Sequence, residues 1–287
     1  MRMIASDIIH QTSLGRVSAQ DWGELDARPV VLIPGVTLNS ADWPKKFVSR
    51  LVEDGCRVVA PDLPDSGHSE RLEREYGLGE LAKAVMEFGR AEFADRPIHW
   101  VGVSMGSLIA QLLPFTEETA DSVTLLMASS GFAPDGIGKW TALVKLLGIR
   151  HNVDKDKLFF DLFSLRSQLA SCHTERDLVE LRRRTMASIE RGLPYGAGPR
   201  RQLKAITNHY IASGTRSEFS PAPLIIHGEK DPLLPLSGAE ALQRRLRGSR
   251  LVTIPRFGHE FVNSRLDEVV TPMLEHFTSP TCACSSI

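Results

Sequence analysis

Short apolar runs alternate with amphipathic stretches over the first half of the chain. Residues 30–33, 57–60, 98–103 and 123–127 are apolar almost throughout, the pattern of strands buried on both faces in a parallel sheet. Between them, 45–54, 78–93 and 105–113 place apolar residues at helical spacing, and Pro114 closes the last of these helices. The more polar segment 3–22 reads as an antiparallel hairpin on a sheet edge. From 132 to 220 the rhythm changes. Strand signals vanish, and 140–147, 155–170, 174–191 and 200–213 read as helices with charged faces. Ser220-Pro221-Ala222-Pro223 then returns the chain to a strand at 224–227, a helix at 237–247, a strand at 251–254 and a last helix at 266–277. Strands alternating with helices predict an α/β protein. Its core spans 1–131 and 221–278, interrupted by a helical cap over 132–220 and followed by a disordered tail over 279–287.

One turn in this pattern carries chemistry. Gly102-Val103-Ser104-Met105-Gly106 joins the strand at 98–103 to the helix that follows, so Ser104 is a candidate nucleophile on a sharp strand-to-helix turn. Glycines two residues to either side remove the side chains that would collide there. Leu224 to His227 runs into an acidic turn with Glu229, Asp231 and Pro232, and the strand at 251–254 runs into Gly258-His259. Serine, acid, histidine is the order of the triad on doubly wound hydrolase sheets, and each member falls at the C-terminal end of an expected strand, where open α/β sheets place their chemistry. A serine hydroxyl needs a base to become a nucleophile. His259 is the candidate base, with an expected apparent pKa near 6 to 7. An acid would hold its tautomer and stabilise the imidazolium. Asp231 outranks Glu229 because it opens the turn with Pro232.

Ile33-Pro34-Gly35-Val36, Asp62-Leu63-Pro64-Asp65-Ser66-Gly67-His68-Ser69, the Ser104 turn, His227-Gly228-Glu229-Lys230-Asp231-Pro232 and Gly258-His259 together resemble the α/β-hydrolase superfamily over nearly the whole chain. The resemblance implies the α/β-hydrolase fold: a mostly parallel eight-stranded sheet with helices on both faces and the cap inserted after the sixth strand. It implies a catalytic Ser104, Asp231 and His259, with Asp135 as the alternative acid, and an oxyanion hole from the N–H groups of Val36 and Met105. Where relatives carry a histidine before the first of these, this chain has Pro34, which keeps the backbone donor and removes a supporting side-chain hydrogen bond. Asp42-Trp43-Pro44, the Asp65–Ser69 turn and Tyr76-Gly77-Leu78-Gly79-Glu80-Leu81 are similar to the aclacinomycin methylesterase group, which acts on methyl esters of anthracycline polyketides. Gly35, Thr37, Phe159, Phe163 and His209 are the expected pocket residues, with Tyr210 beside His209.

Composition narrows the alternatives. With 34 basic and 35 acidic residues and a formal net charge of −1, the chain shows no electrostatic footprint for nucleic acid. The run Leu181-Arg182-Arg183-Arg184 reads as a solvated helix face. No apolar run approaches the ~20 residues of a membrane span, and Asp7 interrupts any leader-like start. Four scattered cysteines, Cys56, Cys172, Cys282 and Cys284, form no disulfide framework or zinc spacing, so a cytoplasmic protein without metal or cofactor, monomeric or homodimeric, is expected. Nine histidines compete for the role of base. His99 and His227 sit beside buried strands, and His68 lies in a turn near the site. The leading function is hydrolysis of a carboxylic ester, a methyl ester of a bulky hydrophobic natural product being the foremost case, with the cap over 132–220 selecting a small-molecule substrate that has a bulky hydrophobic acyl portion. Lactonase, thioesterase, carbon–carbon hydrolase, acyltransferase or cyclase and cofactor-free haloperoxidase chemistry use the same triad. A ligand receptor on the same scaffold is the alternative of another class.

Overall fold

The computed structural model of the 287-residue chain describes residues 5–94, 96–113, 120–131, 154–170, 174–193, 197–207 and 221–278. Eight strands form one sheet in the order β1-β2-β4-β3-β5-β6-β7-β8. They are β1 Ser6–Thr12, β2 Gly15–Trp22, β3 Arg28–Ile33, β4 Cys56–Pro61, β5 Ile98–Val103, β6 Ala120–Leu126, β7 Leu224–Gly228 and β8 Arg250–Ile254. β1 and β2 form an antiparallel hairpin, and β2 also pairs antiparallel with β4. All other neighbours are parallel.

The apolar runs become strands because both faces of the sheet are covered. In β3, Val31 and Ile33 enter one core cluster while Val30 and Leu32 enter the other, as successive side chains of a strand must. On the first face pack α2 (Leu78–Phe93), α3 (Met105–Ala110) and α7 (Leu236–Arg245), through residues such as Leu81, Phe88, Ile109 and Leu242. On the second pack α1 (Lys45–Glu53) and α8 (Asp267–Thr278), through Phe47, Leu51, Val270 and Met273. The edge strand β1 alternates partly buried and exposed residues, which is why the segment at 3–22 looked polar. α3 closes at Ala110, short of the expected 113. There the buried Gln111 carboxamide donates to the carbonyls of Ser107 (3.1 Å) and Ser129 (3.0 Å). Pro114 lies outside the described residues.

Between β6 and β7 come α4 (Lys155–Leu169), α5 (Glu175–Gly192) and α6 (Gly198–Thr207). The helix expected at 140–147, Asp135, His209, Tyr210 and the tail at 279–287 lie outside the described residues. α4 and α5 share a small core of Leu158, Phe159, Leu162, Leu165, Ile189 and Leu193. The arginine run on α5 corrects the solvated-face expectation. Arg182 is exposed and Arg183 pairs with Glu180 (2.6 Å), but Arg184 is fully buried. At 100° per residue, three consecutive side chains cannot share a face, and the third turns inward to Asp42, Glu260 and Phe261.

Hydrogen bonds and ion pairs fasten this insertion to the loops beneath it. Arg191 meets Asp62 (2.9 Å), the Gly67 N–H donates to the Gly192 carbonyl (2.6 Å), and Arg201 grips Asp65 with two donors at 2.9 and 2.7 Å. Buried Asp65 also accepts from Tyr76 Oη and the Leu72 N–H, each at 3.0 Å. Removing one partner of a buried pair strands the other in a poor solvent. Asp65→Ala is therefore expected to lower stability by roughly 3–5 kcal/mol in urea denaturation. A loss under about 1 kcal/mol would show that this pair does not fasten α6.

Candidate active site

The turn after β5 is built from close backbone approaches. A Cβ on Gly102 would lie 2.2 Å from the Gly106 carbonyl oxygen, and one on Gly106 would lie 2.1 Å from that of Ile33. With both absent, β5 can pass directly into α3, and Ser104 takes φ 54° and ψ −118° at the bend. A non-glycine residue held there costs on the order of 1–3 kcal/mol and persists only where its surroundings enforce it. Here the Ser104 N–H donates to the Leu126 carbonyl at the end of β6 (3.0 Å), while the Ser107 N–H (2.9 Å) and hydroxyl (2.6 Å) donate to the Ser104 carbonyl.

Asp231 follows β7. Its Oδ1 accepts the N–H groups of Leu233 and Leu234, each at 2.8 Å, which leaves Oδ2 facing His259. Gly228 lets the loop after β8 cross this turn, since a Cβ there would meet the Phe257 carbonyl oxygen at 2.4 Å. His259 Nδ1–H donates to Asp231 Oδ2 at 2.6 Å, and the Ser104 hydroxyl donates to His259 Nε2 at 3.0 Å. Residues 104, 231 and 259 thus form one hydrogen-bonded row. The acidic partner fixes the imidazole tautomer that turns a lone pair toward serine. Burial disfavours the imidazolium of His259, but the Asp231 charge and hydrogen bond, with the Glu260 charge, outweigh it and raise the pKa above the ordinary value. Among the described histidines, three candidates from the sequence have other partners. His99 meets the Ser122 hydroxyl (2.9 Å), His227 Nε2–H donates to the Leu234 carbonyl (3.0 Å), and half-exposed His68 lies 3.2 Å from Asp7.

Ser104 and His259 open into a cavity of about 840 Å³, including the part open to solvent. Gly35, Val36 and Thr37 from the loop after β3 line it. Among the described residues, neither the Val36 N–H nor the Met105 N–H donates to a protein acceptor. The remaining wall is mostly apolar: Leu38, Trp43, Val103, Leu162, Leu165, Leu169, Leu233 and Phe261. Phe159 and Phe163 do not line it, contrary to expectation. They stack on each other, with centroids 5.7 Å apart, at the small core of α4 and α5. α4 crosses the site with its C-terminal half. Phe159 lies about 4.5 Å further along the axis than Leu162, and Phe163 points about 100° away from it.

Sequence reasoning also missed a buried charge cluster in the same wall. Arg166 on α4 donates to Asp42 Oδ1 (2.6 Å) and to Glu260 Oε2 (2.7 Å). Arg184 on α5 donates to Glu260 Oε1 (3.1 Å) and to the Phe261 carbonyl (2.7 Å). Ser188 donates to Asp42 Oδ2 (2.6 Å). Burial would push the Glu260 carboxyl up, but Arg166 and Arg184 hold it at about 2. Two signals were available: Glu260 directly follows His259, and Arg166 interrupts the apolar face made by Leu162, Leu165 and Leu169.

Comparison with known proteins supplies a context for this geometry. The model of a family described as alpha/beta hydrolase fold matches residues 28–263. Rhodomycin D methylesterase DnrP of Streptomyces peucetius is 28% identical over 284 residues, covering 90% of this chain and 91% of that protein. Pimeloyl-[acyl-carrier protein] methyl ester esterase of Methylococcus capsulatus is 36% identical over 223 residues, covering 76% and 82%. Among solved structures, an esterase from Exiguobacterium antarcticum superposes with a TM-score of 0.77 at 19% identity, over 96% of this chain and 100% of that one.

The charges around His259 generate a titration test. Asp231 and Glu260 both favour its protonated form, so its NMR titration midpoint should lie above the ordinary ~6.5. Glu260→Gln and Asp231→Asn should each move it down, Asp231→Asn further. A midpoint below 6 in the wild type would refute this electrostatic reading.

Proposed function

The chain belongs to the α/β-hydrolase family and is a carboxylic ester hydrolase of that fold; we propose that it cleaves the methyl ester of a bulky, uncharged, hydrophobic acid through an acyl-enzyme on Ser104. The observation that carries this reading is the row Ser104 Oγ–His259–Asp231, at 3.0 and 2.6 Å, opening into an apolar cavity. Ser104 Oγ attacks the ester carbonyl carbon as its proton passes to His259 Nε2. Asp231 stays ionised and stabilises the imidazolium. The tetrahedral oxyanion takes hydrogen bonds from the N–H groups of Val36 and Met105, each worth on the order of 3 kcal/mol in the transition state. Collapse breaks the bond to the alkoxide, which leaves with the His259 proton as methanol. Water then attacks the acyl-enzyme, His259 takes and returns a proton, and the free acid departs.

The substrate class follows from the wall. Among the described lining residues Arg166 is the one cation, and Asp42 and Glu260 occupy its guanidinium. Among the described lining residues no free positive charge remains to hold an acyl carboxylate, and burying one unpaired is costly. Leu162, Leu165 and Leus on either side offer apolar area to a hydrophobic acyl group, so that its burial helps place the scissile carbonyl. In this reading the insertion acts as a cap that selects the acid. The two methyl ester esterases that align over most of the chain support a small alcohol leaving group.

Purified protein should label at Ser104 with a fluorophosphonate and hydrolyse bulky aryl or polycyclic methyl esters in preference to acetate esters. Ser104→Ala should remove turnover and labelling with an unchanged melting temperature. Because His259 must be neutral to accept a proton and its pKa is raised, kcat/KM should climb as pH rises through a value above ~6.5. Ligand binding with no turnover of any ester would refute the hydrolase reading, and Ser104→Ala activity within tenfold of wild type would refute the nucleophile.

A further inference from the structure

His259 lies in the loop after β8, outside any helix or strand. Its ring meets Ser104 and Asp231 only if that loop is held in place. The core holds it upstream, where the Phe257 carbonyl accepts the Lys230 N–H (2.9 Å). From His259 onward the insertion binds three successive residues. The His259 N–H donates to the Leu169 carbonyl at the end of α4 (2.8 Å). Glu260 Oε2 accepts from Arg166 Nε (2.7 Å), and its Oε1 accepts from Arg184 Nη1 (3.1 Å). The Phe261 carbonyl accepts from Arg184 Nη2 (2.7 Å). Further on, the Ser264 N–H and hydroxyl donate to Asp177 at the start of α5 (2.8 and 2.6 Å).

These contacts bracket the point where the imidazole joins the chain. The His259 Cα lies in the rigid peptide plane whose N–H meets Leu169. The next Cα carries the carboxylate that both arginines grip. Arg184 does most of the work beyond His259, because its two terminal nitrogens reach Glu260 and Phe261 together, and Nη1 also donates to the Asp42 carbonyl (3.1 Å). A planar fork of this kind fixes its acceptors in relation to one another, which a point charge does not. Arg184 is fully buried, and unlike Arg166 it is not among the described lining residues of the cavity. Its influence on turnover therefore cannot pass through contact with the substrate. The charged and titratable groups around His259 are Asp231, with His227 3.7 Å from it, and Glu260, backed by Arg166, Arg184 and Asp42.

We propose that Arg184 is a positioning residue for the base: from the insertion it clamps the chain just past His259, so that Nε2 stays within reach of Ser104 Oγ. This rests on the hydrolase reading above. The quantity to measure is kcat/KM on its plateau above the His259 midpoint, where the ring is neutral under any surrounding charge. Rates are taken per site titrated with a fluorophosphonate. Two esters are compared: p-nitrophenyl acetate, too small to use the apolar wall, and a bulky aryl methyl ester. R184K keeps a cation but offers one nitrogen where arginine offers two. Its plateau should fall on the order of 10²-fold for both esters, the scale of a group misplaced by about 1 Å, with the loss in kcat and KM within about threefold. A plateau within about threefold of wild type would overturn the proposal. So would a loss confined to the bulky ester, a moved midpoint with an undiminished plateau, or fewer titrated sites at an unchanged rate per site, the mark of a merely structural role. If R184K does not fold by circular dichroism, E260D carries the test. It keeps a carboxylate beside His259 and draws it one methylene back from both arginines. A plateau loss of at least about tenfold on both esters supports the proposal, and a smaller loss overturns it. Wild type and S104A are the controls. Absent wild-type turnover, or turnover by S104A, sinks the hydrolase reading and this inference with it. With both controls as expected, the variants judge the positioning role alone.

Discussion

Gly106 lies so near the end of β3 that a methyl group there would press to within 2.1 Å of the Ile33 carbonyl oxygen. Without that methyl group β5 can turn directly into α3 against the end of β3, with Ser104 at the bend at a positive φ. Because β5 lies between β3 and β6 in a parallel sheet, the bend emerges beside the loop after β3 and above the ends of β6 and β7. The serine, the loop after β3, the Asp231 turn and the His259 loop are then all at one edge of the sheet. No long-range device is needed to gather them, because parallel strands end on the same side. The glycines at 102, 106 and 228 are what allow these loops to pack backbone to backbone.

Above that edge the insertion is held by polar contacts as much as by apolar ones. Arg166, Arg184, Asp42 and Glu260 form a buried cluster of two positive and two negative groups. Buried ions are costly and gain little unless each finds well-placed partners. This cluster is nearly satisfied, with Arg184 Nε left without a partner. It also adjoins the chemistry. Glu260 is the residue after His259 and adds its charge to that of Asp231, and the His259 N–H donates to the Leu169 carbonyl at the end of α4 (2.8 Å). The insertion therefore touches the His259 loop through α4 and the loop after β3 through α6, where the Thr37 N–H donates to Gln202 Oε1 (2.8 Å).

The sheet was legible because its central strands are buried on both faces and carry unbroken apolar runs. β5 spans the expected residues 98–103, and β3, β4 and β8 extend theirs by one or two residues. α2 matches 78–93 for a similar reason, since a long amphipathic period is hard to mistake. Ser104, Asp231 and His259 could be nominated because local glycine and strand context marks each one. The cavity wall could not. Which side of α4 faces the site depends on how that helix is seated, and the seating is set by Arg166 meeting Asp42 and Glu260, partners 124 and 94 residues away in sequence. A helical period identifies an apolar face without saying what it covers, so Phe159 and Phe163 were as plausible as Leu162 and Leu165. Gln202 was invisible for a related reason: a lone glutamine in a helix gives no sign of the distant backbone N–H, that of Thr37, which its Oε1 accepts at 2.8 Å.

The charge cluster bears on how freely such enzymes can trade parts. A helical insertion between two strands looks like a module that could be exchanged among relatives to change the acid accepted. Here it is half of an electrostatic lock. A grafted insertion lacking cations at the places of Arg166 and Arg184 would leave the buried carboxylates of Asp42 and Glu260 without their counter-charges, beside His259. Chimeras of this scaffold would have to carry the short segment around residue 42 and the residue after His259 together with the helices, so the unit that can be exchanged is discontinuous in sequence.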